Sequence, residues 1–192
     1  MPSPIAFDLK DQTALVTGAT SGFGMRFAHV LSDAGAKVVI TGRRVERLNE
    51  LKSSIEAKGG SAIAMALDVT DVTRCRALVD DAERRAGPVS ILINNAGMNV
   101  EASASTLNEA DYDRIMDTNV KGAFFMAQAV GSRMVSKKLQ GRIVNIASIG
   151  AFKALPGLVA YSMSKAAIAM MTKGFAREWA KHHVAVNAIC PG

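Results

Sequence analysis

The amino-acid sequence predicts an α/β protein built on a doubly wound, mostly parallel sheet with helices on both faces. Three observations carry that expectation. Six short apolar or β-branched runs alternate with longer stretches of helical period, and glycines mark many of the changeovers. The runs are also apolar almost without interruption, as in Ala14-Leu-Val and Ile91-Leu-Ile93. Such runs suit parallel strands covered on both sides, whereas a sheet with one wet face would alternate apolar and polar residues.

Each element has its own local signal. The first strand, Thr13–Thr17, runs through a glycine-rich turn into a helix from about Gly22 to Ala34, which Gly35 closes. The second strand, Val38–Thr41, leads to a helix over Val45–Lys58. Glu46 sits in its first turn, where the helix dipole favours an acid, and Gly59-Gly60 ends it. The third strand, Ser61–Leu67, precedes a helix over Asp71–Arg85, and Gly87-Pro88 separates that helix from the fourth strand, Ser90–Ile93. Thr106-x-x-Glu109 has the form of a capping box opening a long helix, Asn108–Ser136. The fifth strand, Arg142–Ile146, a helix over Ala160–His182 and a sixth strand, Ala185–Ile189, complete the series. No linker, repeat or low-complexity tract interrupts it, so residues 1–192 read as one domain.

Composition narrows the functional classes. Lys and Arg number 23 against 17 Asp and Glu, a formal charge of +6, with 49% hydrophobic and 21% charged residues. Those proportions are ordinary for a globular chain and exclude disorder. The basic pairs Arg43/Arg44, Arg84/Arg85 and Lys137/Lys138 are scattered without interleaved aromatics, so no nucleic-acid partner is expected. Cys75 and Cys190 lie far apart, and the histidines show no ligand spacing. No metal site or disulfide framework is expected, and a reducing cytoplasm fits. Apolar runs such as Ala166 to Met171 fall far short of the roughly 20 residues a membrane span needs. The opening Met-Pro-Ser-Pro-Ile-Ala-Phe-Asp8 lacks the pattern of a secretion signal.

The chemistry begins at Thr17-Gly18-Ala19-Thr20-Ser21-Gly22-Phe23-Gly24, between the first strand and its helix. Glycines at 18, 22 and 24 permit a tight turn, close approach of the backbone to a pyrophosphate, and helix packing against the sheet. The N–H groups at the helix start then face the anion. A glycine-rich turn alone says little; strand, glycines and helix in sequence point to a dinucleotide. The spacing is not that of a P-loop. About 20 residues on, where an acid would hold the ribose hydroxyls of NAD, stand Arg43 and Arg44. Two planar guanidiniums match a 2′-phosphate, so NADP is the preferred cofactor with NAD the other option. Two solvated arginines at a helix start are the alternative.

Further motifs follow in order: Asp68 with Val69, Asn95-Ala96-Gly97, Asn119, Ser148, Tyr161-x-x-x-Lys165 and Pro191-Gly192. Together with the glycine turn, they make the chain resemble the short-chain dehydrogenase/reductases over essentially its whole length. The resemblance implies a Rossmann-type fold, with the main chain of Gly18, Thr20, Ser21, Gly22, Phe23 and Gly24 around the pyrophosphate. It places Asp68 and Val69 at the adenine and Asn95, Ala96 and Gly97 along the cofactor cleft, with Pro191 and Gly192 also toward the cofactor. It casts Asn119, Ser148, Tyr161 and Lys165 as a catalytic tetrad, with Tyr161 and Lys165 also touching the cofactor. Phe23 departs from the smaller aliphatic the family more often has there.

The implied activity is hydride transfer between NADP(H) and a small carbonyl or alcohol, with Tyr161 as general acid/base. Free tyrosine, at about 10, is too weak an acid for work near neutral pH. Lys165 lies one helical turn from Tyr161, so its ammonium can stabilise the phenolate. Spacing alone more often means a surface pair; the resemblance is what assigns catalysis. Ser148 would donate to the developing oxyanion, and the Asn119 carbonyl would hold a water linking Lys165 to solvent. The competing reading is a regulatory protein that binds NADP(H) without turning it over.

Val100 to Leu107 and Ile149 to Val159 should border the substrate. Their Ala102, Ala104, Ala151, Leu155 and Leu158 suggest an uncharged one, against which stands Lys153. Met163, Met170, Met171 and Trp179 read as packing or interface residues, and Cys190 as an inert thiol. The resemblance also implies a homodimer or homotetramer through the two long helices. The family continues past Pro191-Gly192 into a substrate lid and a last strand, so the expectation is a C-terminally incomplete one-domain enzyme.

Overall fold

A computed structural model of the protein describes residues 8–192; Met1 to Phe7, in the opening stretch expected to lack a secretion-signal pattern, lie outside the described residues. Six strands form one sheet: β1 (Thr13–Val16), β2 (Lys37–Gly42), β3 (Ser61–Ala66), β4 (Val89–Asn94), β5 (Gly141–Ile146) and β6 (Val184–Ile189). Their order is β3-β2-β1-β4-β5-β6, and every pairing is parallel. In the register, Leu15 stands between Val39 of β2 and Leu92 of β4. The order reverses between β1 and β4, and ligands of such sheets bind outside the carboxyl ends of the strands at that crevice.

Alternate strand residues feed two cores. Leu15, Val39 and Leu92 pack with α3 (Val72–Ala86), α5 (Ala123–Ser136) and Phe175 of α6 (Val159–Trp179). Ala14, Val16, Val38 and Ile40 pack instead with Ala28 of α1 (Gly22–Asp33) and with Leu48, Leu51 and Ile55 of α2 (Val45–Glu56). Full burial of one such side chain contributes about 1.5–3 kcal/mol. β6 pairs only with β5 among the described residues, and its Asn187 and Ile189 remain exposed.

The long fourth helix is not continuous. It divides into α4 (Glu109–Met116), a π-helical stretch over Asp117–Gly122, and α5. The extra residue of a π turn aims Asn119 inward. Its amide accepts from the Met98 N–H at 2.7 Å and donates to the Met98 carbonyl at 2.8 Å and to Ser164 Oγ at 3.0 Å. Gly122 lies against Val69, with no space for a Cβ. The start of α4 also differs from the expectation: its N-cap is Asn108, not Thr106. Asn108 Oδ1 accepts from the Asp111 N–H at 2.9 Å and its amide donates back to the Asp111 carboxylate, while the Thr106 hydroxyl turns to Ser103. Asn108 thus caps the helix where Thr106 was expected to, and Asp111, not Glu109, meets the cap, through the Asn108 side chain.

Candidate functional site

At the switch point, the ends of β1 to β4 enclose a cavity of about 340 Å³. Gly18, Thr20, Ser21, Phe23, Arg43, Arg44, Asp68, Val69, Asn95, Ala96 and Gly97 all line it. Gly42, Leu67, Met98 and Thr118 line it too, and the sequence reading missed them. Thr118 belongs to the π stretch, whose course no local pattern announces.

The floor of the cleft is built from backbone contacts. Gly18 has φ +65°, and a Cβ there would stand 2.8 Å from the Ala96 Cα. Gly24 lies behind the turn, where a Cβ would come within 2.3 Å of the Gly18 carbonyl oxygen. Thr17 Oγ1 accepts from the N–H groups of Asn95 and Ala96, both at 3.0 Å, and the Asn95 amide donates to the carbonyls of Thr17 and Gly18. Asn95 therefore staples the end of β4 to the glycine turn, with its side chain spent on that bridge. Gly22 opens α1, and no side chain caps that helix end. Its first N–H groups remain available to an anion. A tight turn, a helix start and a cleft of this size fit a dinucleotide.

The two arginines part company. The Arg44 guanidinium donates to Thr20 Oγ1 at 2.6 Å and Ser21 Oγ at 3.0 Å, lying across the glycine turn. Arg43 reaches instead toward Asp68, with 3.8 Å between guanidinium and carboxylate. Asp68 also accepts from the backbone N–H and hydroxyl of Thr70. Both guanidiniums are exposed at the rim, but they stand on different partners.

The remaining candidates gather at the ends of β4 and β5. Ser148 follows β5 and is buried; its Oγ accepts from the Gly150 N–H at 3.1 Å, so its own O–H remains free to donate. Tyr161 and Lys165 lie on the first turns of α6, with Lys165 Nζ 5.6 Å from the Tyr161 ring centre. The Tyr161 hydroxyl has no partner among the described residues. Lys165 is only 5% exposed and donates to the Ile146 carbonyl at 2.7 Å. Burial pushes its ammonium down from 10.5 to about 8, opposed by the nearby Cys190 sulfur. A Cβ placed on Gly97 would meet Asn119 Oδ1 at 3.3 Å and Lys165 Nζ at 3.5 Å, so Gly97 joins this cluster to the cleft. Pro191 and Gly192 lie off the cleft, beside the turn after Ser148. The Pro191 carbonyl accepts from the Ile149 N–H at 2.8 Å, and Gly192 packs on the Ile149 side chain.

This combination of doubly wound sheet and glycine-floored crevice defines an α/β protein of the dinucleotide-binding class. Comparison with known proteins narrows the class. The family pattern described as short chain dehydrogenase matches residues 12–192. Gluconate 5-dehydrogenase of Gluconobacter oxydans is 40% identical over all of this chain and 75% of its own length. An NAD-dependent glycerol dehydrogenase of Listeria innocua is 37% identical over 96% of this chain and 71% of its own length. A crystal structure of a gluconate 5-dehydrogenase from Burkholderia cenocepacia, in complex with NADP and tartrate, superposes with a TM-score of 0.92. It is 34% identical, covering 97% of this chain and 73% of that one. The chain belongs to the short-chain dehydrogenase family. No helix among the described residues is long and apolar enough to cross a membrane.

Proposed function

We propose that the protein is an oxidoreductase that transfers hydride between NADP(H) and a small alcohol or its carbonyl counterpart. The observation that supports this reading is Lys165 Nζ beside both the Tyr161 ring and Gly97 of the glycine-floored cleft, with Ser148 buried at the end of β5. A nicotinamide dinucleotide held in that cleft supplies or accepts the hydride.

The chain's own side chains supply the proton and the polar contacts. Tyr161 Oη gives its proton to the carbonyl oxygen in reduction and takes it back in oxidation. Lys165 Nζ, 5.6 Å from the Tyr161 ring centre, would steady negative charge on the tyrosine oxygen as its proton leaves. Ser148 Oγ, already accepting from Gly150, has its hydrogen to offer the substrate oxygen as charge develops there. Asn119 is a positioning residue whose bonds to Met98 and Ser164 tie the π stretch to α6.

Preference for the 2′-phosphorylated cofactor is supported by Arg43 and Arg44 at the rim and by NADP in the Burkholderia enzyme. Gluconate and glycerol, named for two relatives, support a small polyhydroxylated substrate. Self-association through α5 and α6 is part of the reading, since Phe124 and Met170 are exposed along that pair of helices. The test is a panel of polyols, sugar acids and their keto forms, assayed on this chain with NADP(H) and NAD(H). Sustained turnover with at least one alcohol is expected. Tight dinucleotide binding without turnover on any of them would favour a non-catalytic binder.

A further inference from the structure

We propose that Phe23, braced by Phe27, is an aromatic cover on the cofactor cleft that slows release of the bound dinucleotide. The inference rests on reading that cleft as a dinucleotide site. Phe23 lines the same cavity as Gly18, Ala96 and Gly97, yet it leaves 57% of its surface in water. Its place is set by the backbone. On one side Gly24 is wedged against the Gly18 carbonyl, and on the other Gly22, at φ +55°, has nothing within 4 Å of where a Cβ would stand. The packed Gly24 backbone thus sets Phe23 at the rim of the cavity.

Phe27, one helical turn on, limits that movement. The two rings stack with centres 6.2 Å apart and planes 29° apart, and Phe27 itself packs on the core beneath α1. An exposed ring stacked on its neighbour at a cleft is preorganised: an extended ligand in the cavity removes part of it from water without ordering it first. A phenylalanine carries about 150–250 Å² of such surface, so covering even a fraction of it retards departure. The contact is apolar. It therefore acts on NADPH and NADH alike, unlike a guanidinium that meets only the extra phosphate.

Stopped-flow fluorescence, with bound NADPH or NADH chased by excess oxidised cofactor, reads the release rate directly. Phe23→Ala should release both dinucleotides about 10-fold faster, with association rates within about twofold of wild type. Phe27→Leu, which keeps an apolar side chain but removes the aromatic brace, should give about a threefold increase, and Phe23→Tyr should retain slow release. Wild-type release rates in Phe23→Ala would overturn the inference while leaving the cleft assignment intact. So would an effect confined to NADPH, which would place the cause in Arg44 and its Thr20 and Ser21 partners. If the wild-type chain bound neither dinucleotide, the cleft reading and this inference would fall together.

Discussion

Raising the pH from 7 to 10.5 should stabilise the folded chain through Lys165, and a Lys165→Met variant should lose that gain. The side chain is 5% exposed, and burial holds its ammonium at about 8 against 10.5 for the free group. Below pH 8 folded and unfolded chains both carry the proton, and the fold bears the full cost of a buried charge. Between about 8 and 10.5 the unfolded chain keeps the proton and the folded chain gives it up, so stability rises with pH across that window. At 1.36 kcal/mol per pH unit, the gap amounts to about 3 kcal/mol. Urea denaturation followed by circular dichroism, at half-unit steps for wild type and variant, checks this. Other groups that titrate in alkali are common to both proteins and cancel in the difference. Wild type should gain about 3 kcal/mol relative to the variant by pH 10.5. Parallel curves would refute the account of Lys165 as a cation held against its burial.

Three further outcomes follow from the site. Replacing Arg43 and Arg44 together by Ala should weaken NADPH at least about tenfold more than NADH in equilibrium titration, because charge-assisted bonds to the phosphate contribute about 1.5–3 kcal/mol; equal weakening would remove the phosphate reading. Gly24→Ala should destabilise the fold by about 1–3 kcal/mol in a urea titration and impair dinucleotide binding, since its new Cβ would press on the Gly18 carbonyl from 2.3 Å. Ser148→Ala should lower kcat by about 10²–10³ with an unchanged thermal melt, as loss of an oxyanion donor does elsewhere.

The strands were legible because period and apolar continuity are local: each observed strand lies within a residue or so of its expected bounds. The cleft was legible because a glycine turn between strand and helix leaves few other purposes for its backbone donors. What the sequence hid depends on contacts between distant segments. The π stretch is held by Asn119 reaching Met98 and Ser164, 21 and 45 residues away. Arg43 and Arg44 look like one cationic pair along the chain. Asp68, from the end of β3, draws one aside while the hydroxyls of the glycine turn take the other. A buried polar chain also escaped notice: Asn94 donates to Asn145, and Asn145 to Thr172, tying β4 and β5 to α6 behind the candidate tetrad. Single asparagines within apolar strands carry no pattern until their partners are placed.

The proposed function gives Tyr161 the proton transfer and leaves cofactor binding to the cleft. Tyr161→Phe removes one oxygen and little else, so NADPH affinity by fluorescence titration and turnover on the best substrate of the panel separate the two roles. NADPH affinity within about threefold of wild type, with kcat reduced by about 10²–10⁴, is the predicted result. Turnover at the wild-type rate would contradict it.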